Sequence, residues 1–187
     1  MLFRSHSDYI IKSVSSIIKC YTRLFKTLLN NNKYNIRFVK ANGSHESLEG
    51  DKTSRTNEEN YGNLIFEVLK LKFEDYRNLE FLEKLKGMNL TVVPYFNYSK
   101  LVGHGDEMST AEFIKFAKQL DLNVTYIELG HFHHLKSEEI NKIIITYNEP
   151  LCGSDEYATN KGLVGSCGVR YSILSENGKI FERFIPL

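Results

Sequence analysis

Five of the six histidines in this 187-residue chain lie in three short segments that also contain glycine. The segments are Gly43-Ser44-His45-Glu46, Gly103-His104-Gly105-Asp106 and Gly130-His131-Phe132-His133-His134. Neutral imidazole is a good ligand for zinc, iron, nickel and manganese, and a neighbouring glycine lets the backbone approach a metal closely. Each histidine taken alone is better explained by a structural or solvated role. Together they predict one shared metal site.

Each histidine segment follows a stretch with the composition of a β-strand. The three strand candidates are residues 34–40, 99–102 and 124–129. Loops at the carboxyl ends of neighbouring strands converge in open α/β sheets. We therefore expect the three segments to meet in space.

The remaining pattern of apolar residues predicts an α/β fold. The spacing of apolar residues predicts helices over residues 7–30 and 59–76. It predicts a third helix whose first turn Ser109 or Thr110 can cap. Further strands are predicted over residues 79–82, 90–96 and 140–147, and the Asn177-Gly178 turn predicts a C-terminal β-hairpin. Polar loops are expected over residues 47–58 and 152–165. No linker divides the chain, so we expect a single domain over residues 1–187, with a sheet flanked by helices.

The composition indicates an ordinary globular protein. It is 42% apolar and 25% charged, and 24 basic residues oppose 23 acidic ones, so charge indicates neither a nucleic-acid nor a membrane partner. No apolar run approaches the roughly 20 residues that span a bilayer, and no signal peptide is recognisable. Cys20, Cys152 and Cys167 form no Cys-x-x-Cys pair, which is typical of reduced thiols. We expect a cytoplasmic protein, in a host cytoplasm if it is phage-encoded.

The order of the histidine segments resembles the calcineurin-like metallophosphoesterase family, and most of all its nuclease-related members from phages and bacteria. In that family an Asn-His turn after a strand, a later single histidine and a terminal Gly-His-x-His motif supply part of a two-metal site. The resemblance runs from about residue 8 to the end of the chain, and Gly130-His131-Phe132-His133 is its specific motif.

The resemblance implies a role for each matching residue. His104 and His131 would bind one metal, His133 would reach the other, and His45 would be a general acid if the chain is active. Ser44 stands where the family has an asparagine ligand, and a hydroxyl is a poorer donor to a divalent cation. The family's two earlier motifs, Asp-x-His and Gly-Asp-x-x-Asp, have no counterpart in this sequence.

The missing carboxylates change the expected metal content. Two divalent cations roughly 4 Å apart repel each other and need a bridging carboxylate. We therefore expect one cation, held by three or four histidines, with solvent or Asp106 filling any vacancy. Zinc is expected, because manganese and iron(II) prefer harder ligand sets. The candidate ligands are His45, His104, His131 and His133.

The resemblance also bears on partners and activity. An incomplete sheet exposes a strand edge, so we expect a homodimer or a protein partner there. The leading hypothesis is a degenerate metal-binding protein that acts by binding, as an inhibitor of a host defence nuclease of the anti-CRISPR kind. The alternative is an active metal-dependent phosphodiesterase or nuclease completed by a second subunit. A third possibility is a gene fragment with no selected activity.

Overall fold

A computed structural model describes residues 3–30, 33–43, 60–106, 108–150 and 167–186. Within it the chain divides into two compact units, Met1–Glu83 and Lys84–Leu187, each treated separately below. The candidate ligand His45, Cys152 and the two predicted polar loops lie outside the described residues. The single-domain assignment stays a prediction.

The first unit is a β-α-β arrangement preceded by a long helix. Its elements are α1 (Phe3–Leu29), β1 (Ile36–Phe38), α2 (Tyr61–Lys72) and β2 (Leu79–Phe81). The two short strands pair in parallel, with Ile36 opposite Leu79, and α2 provides the crossover that parallel strands require. The helices predicted over residues 7–30 and 59–76 are confirmed, but their first and last residues differ from the predicted ones.

Aromatic side chains dominate the core of the first unit. Phe25 lies edge-on to Phe38 and to Phe73, at ring-centroid distances of 5.2 and 5.4 Å. Edge-to-face contacts of this kind are the preferred geometry of aromatic pairs. The buried core residues are Phe25, Leu29, Leu69, Phe73 and Leu79. Among the α1 side chains that the structure describes, those that contribute to this core lie in the C-terminal half of the helix.

In the part of the second unit that the structure describes, one helix, a five-stranded sheet and a hairpin form three layers. Its elements are β3 (Leu90–Tyr95), β4 (Tyr98–Gly103), α3 (Thr110–Gln119), β5 (Val124–Leu129), β6 (Lys136–Ile140), β7 (Ile143–Tyr147), β8 (Gly168–Ser175) and β9 (Gly178–Pro186). Five strands form a mixed sheet in the order β3-β4-β5-β7-β6, and β8 and β9 form a separate hairpin. The α/β class and the C-terminal hairpin are therefore confirmed.

Alternate side chains of β5 face the two outer layers. Ile127 and Leu129 join the buried core that includes Phe113 of α3. Tyr126 and Glu128 point to the other face: the Tyr126 hydroxyl accepts a hydrogen bond from the Lys179 amide of β9, and Glu128 pairs with Arg170 of β8. The period-two alternation of a strand therefore gives this sheet one apolar and one polar face.

The strand predicted over residues 140–147 is wrong in one respect. Asn141 and Lys142 have φ angles of 54° and 66°, and they form a two-residue turn between β6 and β7. Such a turn matches the twist of the flanking strands, so the apolar run divides into two antiparallel strands. Sequence reasoning missed β6 because its residues, Lys-Ser-Glu-Glu-Ile, are mostly charged.

One edge strand of the five-stranded sheet carries a proline, and the other carries charged residues. β3 carries Pro94, and β6 carries Lys136, Glu138 and Glu139. These are features that discourage pairing with another chain. In the described part of the chain β1 pairs only with β2, and the partner at an exposed edge stays a prediction. No helix among the described residues is long and apolar enough to span a bilayer.

A capping box begins α3, only a few residues after the second histidine segment. The Ser109 side chain accepts from the Glu112 amide, and the Ser109 amide donates to the Glu112 carboxylate at 2.7 Å. The hydrogen bond from the Ser109 hydroxyl holds the pKa of Glu112 below its usual value. The reciprocal bonds satisfy amides that the first helical turn leaves unpaired.

Replacing Ser109 by alanine should lower the free energy of unfolding by about 1 kcal/mol at neutral pH, because the first turn of α3 loses its cap. A depressed carboxyl pKa stabilises the fold above the pKa of the unfolded chain and loses its effect as pH falls. The difference between Ser109→Ala and the wild type should therefore narrow in acid. Denaturant unfolding at several pH values measures it. Ser137→Ala, at an exposed site on β6, is the control, and an equal loss there would contradict the assignment.

Candidate metal centre

Pairing between β4 and β5 places two histidine segments side by side. The strands are parallel, and their last residues, Gly103 and Leu129, are register partners. The chain continues from them into His104 and Gly130, and the Gly130 amide donates to the Gly103 carbonyl at 3.4 Å. The convergence expected from the sequence is thus observed for the second and third segments.

The turn after β4 carries two potential ligands on either side of a glycine. Gly105 has a φ of 102°, in a region that side-chain-bearing residues rarely adopt. A Cβ atom there would lie 3.2 Å from Leu129 Cβ and 3.3 Å from a ring carbon of Phe132. Gly105 therefore lets the chain reverse tightly against β5, and His104 and Asp106 both reach the same place.

The segment after β5 has an unusual backbone. His131 and His133 have φ angles of 67° and 54°. Left-handed conformations of non-glycine residues are uncommon, and such strain clusters at functional sites. The two histidines alternate with Phe132, whose amide donates to the Gly130 carbonyl at 2.8 Å.

Three side chains meet at this end of the sheet. The Nε2 atom of His104 and the Nδ1 atom of His131 are 3.3 Å apart. One ligand atom from each of His104, Asp106 and His131 lies within 4.8 Å of the others. His131 is exposed, while His104 and Asp106 are half-buried. The group is the candidate metal centre of the chain.

The geometry fits a single cation. Two nitrogens bound about 2.0–2.1 Å from a tetrahedral zinc ion lie about 3.3–3.4 Å apart, which is the observed separation of the imidazole nitrogens. A hydrogen bond between the rings requires a proton on one of the two nitrogens, and a cation between them requires both as neutral acceptors. The nearby carboxylate supplies a third donor and negative charge, which favours the cation.

The structure bears differently on each of the predicted metal ligands. His104 and His131 come together as expected, and Asp106, predicted only to fill a vacancy, is the third member of the group. Among the described residues His133 does not belong to this group, and its side chain is exposed. His45 lies outside the described residues. The four-histidine ligand set therefore stays a prediction, beside an observed two-histidine, one-carboxylate group.

Aromatic contacts hold the third segment in place. The Phe132 ring meets the Tyr147 ring at 90° with centroids 4.9 Å apart. His134 lies near the same tyrosine at 6.3 Å, and its Nδ1 atom is 2.8 Å from the Phe132 carbonyl oxygen. His134 therefore has a structural role inside the loop.

Tyr147 links this segment to α3 and β6. Its hydroxyl lies 2.6 Å from the Thr110 hydroxyl and donates to Glu138 at 3.2 Å. The hydrogen bond from Lys136 holds the pKa of Glu138 below its usual value, and the bond from Tyr147 acts in the same direction. The sequence pattern did not identify Tyr147, because an aromatic residue at the end of an apolar strand is usually interpreted as a core residue.

Comparisons with known proteins identify structures of related shape only. No protein-family profile and no curated protein matches the sequence. An archaeal phosphodiesterase aligns at 16% identity over 91% of both chains, with a TM-score of 0.49. Vps29 from Entamoeba histolytica in complex with Zn²⁺ aligns at 12% identity over 62% of this chain and 72% of its own, with a TM-score of 0.41.

A third similar structure is a conserved uncharacterized protein of Streptococcus pneumoniae described as a predicted phosphoesterase. It shares 9% identity over 62% of this chain and 72% of its own, with a TM-score of 0.35. Phosphoesterase-type proteins are thus among the structures that this chain is similar to. Because all three TM-scores lie below 0.5, these similarities establish neither a family nor an activity.

Gly105→Ala should destabilise the second unit more than Gly87→Ala. Both glycines have positive φ angles, but a Cβ at Gly87 meets nothing within 4 Å, whereas one at Gly105 crowds Leu129 and Phe132. Gly87→Ala should cost about 1–2 kcal/mol of unfolding free energy, from backbone conformation alone. Gly105→Ala should exceed this, because the turn must also move. Equal losses in denaturant unfolding would show that the tight reversal is unimportant.

Proposed function

We propose that this chain is a metal-binding protein that holds one divalent cation on His104, Asp106 and His131. The observation that carries the proposal is the 3.3 Å approach of the two imidazole nitrogens beside a carboxylate. Two parallel strands in fixed register and a strained turn produce this approach, which makes it a built feature of the fold. Exposed side chains that lie close together by chance are not held by a strand register and a strained backbone in this way.

Zinc is the cation proposed first. Imidazole and carboxylate are both normal zinc ligands, and zinc sites with three protein ligands leave a position for water. The carboxylate of Asp106 also makes iron(II) and manganese better candidates than an all-histidine set would, because two histidines and one carboxylate are a known iron(II) arrangement. When bound, the cation would supply a positive charge and a Lewis acid at the exposed end of the sheet.

The proposed mode of action is binding without turnover. The described residues contain a single group of three potential ligands, built around one carboxylate. Two-metal hydrolysis of phosphoesters requires a second cation about 3.5–4 Å away. Inhibition of a host defence nuclease, of the anti-CRISPR kind, is the specific form proposed, and it rests on the sequence resemblance alone.

A second candidate function is metal-dependent phosphodiester hydrolysis. It is favoured by the exposure of His131, because an open site gives water access to a bound cation. In this case a second subunit would supply further carboxylates. The two candidates differ in what the metal-loaded chain does to a phosphodiester.

Metal content tests the ligand set directly. Metal-loaded, tag-free protein should carry about one zinc per chain, and His131→Ala should lose it because the site keeps only one imidazole and one carboxylate. His133→Ala is the matched control: the same change two residues away, outside the observed group, should leave the metal bound. Loss of metal in His133→Ala but not in His131→Ala would overturn this ligand set. An absence of metal in the wild type would overturn the proposal itself.

Turnover separates the two functions. Under the binding proposal, metal-loaded protein does not hydrolyse bis(p-nitrophenyl) phosphate and reduces DNA cleavage when added to a CRISPR nuclease. Hydrolysis that disappears in His131→Ala but persists in His133→Ala would establish the enzyme instead. An inert protein that leaves the nuclease unaffected would remove the inhibitor role and keep the metal site.

A further inference from the structure

Helix α1 contains a seven-residue repeat. Residues 10–30 read Ile-Ile-Lys-Ser-Val-Ser-Ser, Ile-Ile-Lys-Cys-Tyr-Thr-Arg and Leu-Phe-Lys-Thr-Leu-Leu-Asn. In each repeat the first, second and fifth positions are apolar, the third is lysine, and the fourth is small. Apolar residues that recur at alternating steps of four and three are the pattern of a helix that packs along another helix.

One side of this helix is used within the first unit. Phe25 and Leu29 are buried in the core, and Ile18 packs against it. Ile18 and Phe25 occupy the second position of their repeats. The C-terminal half of α1 is thus fixed along this side.

The described residues cover the neighbouring side of the helix only in part: Tyr21 packs against the same core, with its ring centroid 5.2 Å from that of Phe38. The first and fifth positions form a stripe with steps of four, three, four, three and four residues, here called the heptad seam. Its members are Ile10, Val14, Ile17, Tyr21, Leu24 and Leu28. Ile17 and Leu24, both at first positions, are 42% and 47% exposed, and Ile11 beside them is 66% exposed. Contiguous exposed aliphatic residues mark an interaction surface.

The positions of the charges identify the occupant. Lys12, Lys19 and Lys26 repeat at the third position and are exposed, and residues 9–30 contain no acidic residue. The third position lies about 200° around the helix from the first, at about 100° per residue. A membrane or an acidic peptide on the seam would leave these lysines pointing away from the negative charge. An uncharged, apolar surface with the same repeat is the better match.

We propose that the heptad seam pairs with the same seam of a second copy of this chain. A two-fold axis places one patch against itself, so each copy supplies the repeat that the other requires. Ser13, Cys20 and Thr27, at the fourth position, line the side of the seam away from the intrachain core. They are small and uncharged, so two helices can approach without repulsion between the lysines. This pairing is independent of the metal centre.

A charged substitution in the seam tests the pairing. The wild-type full chain should sediment as a dimer at micromolar concentration, and Ile17→Lys should raise the dissociation constant at least about tenfold, because two-fold symmetry puts two lysines into the interface. Ser16→Lys is the matched control: it places the same side chain at the exposed neighbouring position, outside the seam, and should leave the constant within about threefold. Leu24→Lys should repeat the effect of Ile17→Lys.

Both seam positions are nearly half exposed, so a lysine there can reach water in the monomer, and circular dichroism should show unchanged helix content. A monomeric wild type at about 100 µM would overturn the proposal, as would a dimer equally stable in Ile17→Lys and Leu24→Lys. Binding of a monomeric wild type to vesicles of phosphatidylserine and phosphatidylcholine, lost in Ile17→Lys, would assign the seam to a membrane instead.

Discussion

The parallel pairing of β4 with β5 is the constraint on which the candidate metal centre depends. Because Gly103 and Leu129 are register partners, the chain leaves both strands at the same edge of the sheet, where His104 and Gly130 come next and His131 follows Gly130. A shift of one residue in this register would move every side chain of one strand to the opposite face. The alternation that buries Ile127 and Leu129 against α3 therefore also fixes the separation of the two imidazoles.

The polar face of the same sheet is held by specific bonds. The Tyr98 hydroxyl donates to the Ser175 carbonyl at 2.8 Å, and Lys100 pairs with Glu128 at 2.6 Å. Arg170, with a side chain only 8% exposed, lies between Glu128 and Glu182. Half-buried charges need partners of this kind, because an unpaired charge in such a place is costly. The C-terminal hairpin is thus joined to the polar face of the sheet by directional contacts.

Metal binding and self-association would use different parts of the chain. The candidate centre lies in the second unit, at the carboxyl ends of β4 and β5, whereas the heptad seam lies on α1 of the first unit. The two proposals can therefore fail separately. If His131→Ala removed the metal and the chain remained a dimer, self-association would not depend on the cation.

The sequence by itself determined most of the helices and strands and two of the candidate ligands, His104 and His131. Helical spacing in α1 and α2, the Asn-Gly hairpin signal and the order of strand and glycine loop depend on nearest neighbours along the chain, which the sequence contains. Tertiary structure decided the rest. Asp106 became a member of the group because a positive φ at Gly105 turns it back beside His104, and β6 exists because Asn141 and Lys142 adopt left-handed conformations that composition does not reveal. The strand register and the positions of left-handed backbone conformations decide which side chains converge. Both are set by packing between residues far apart in the sequence.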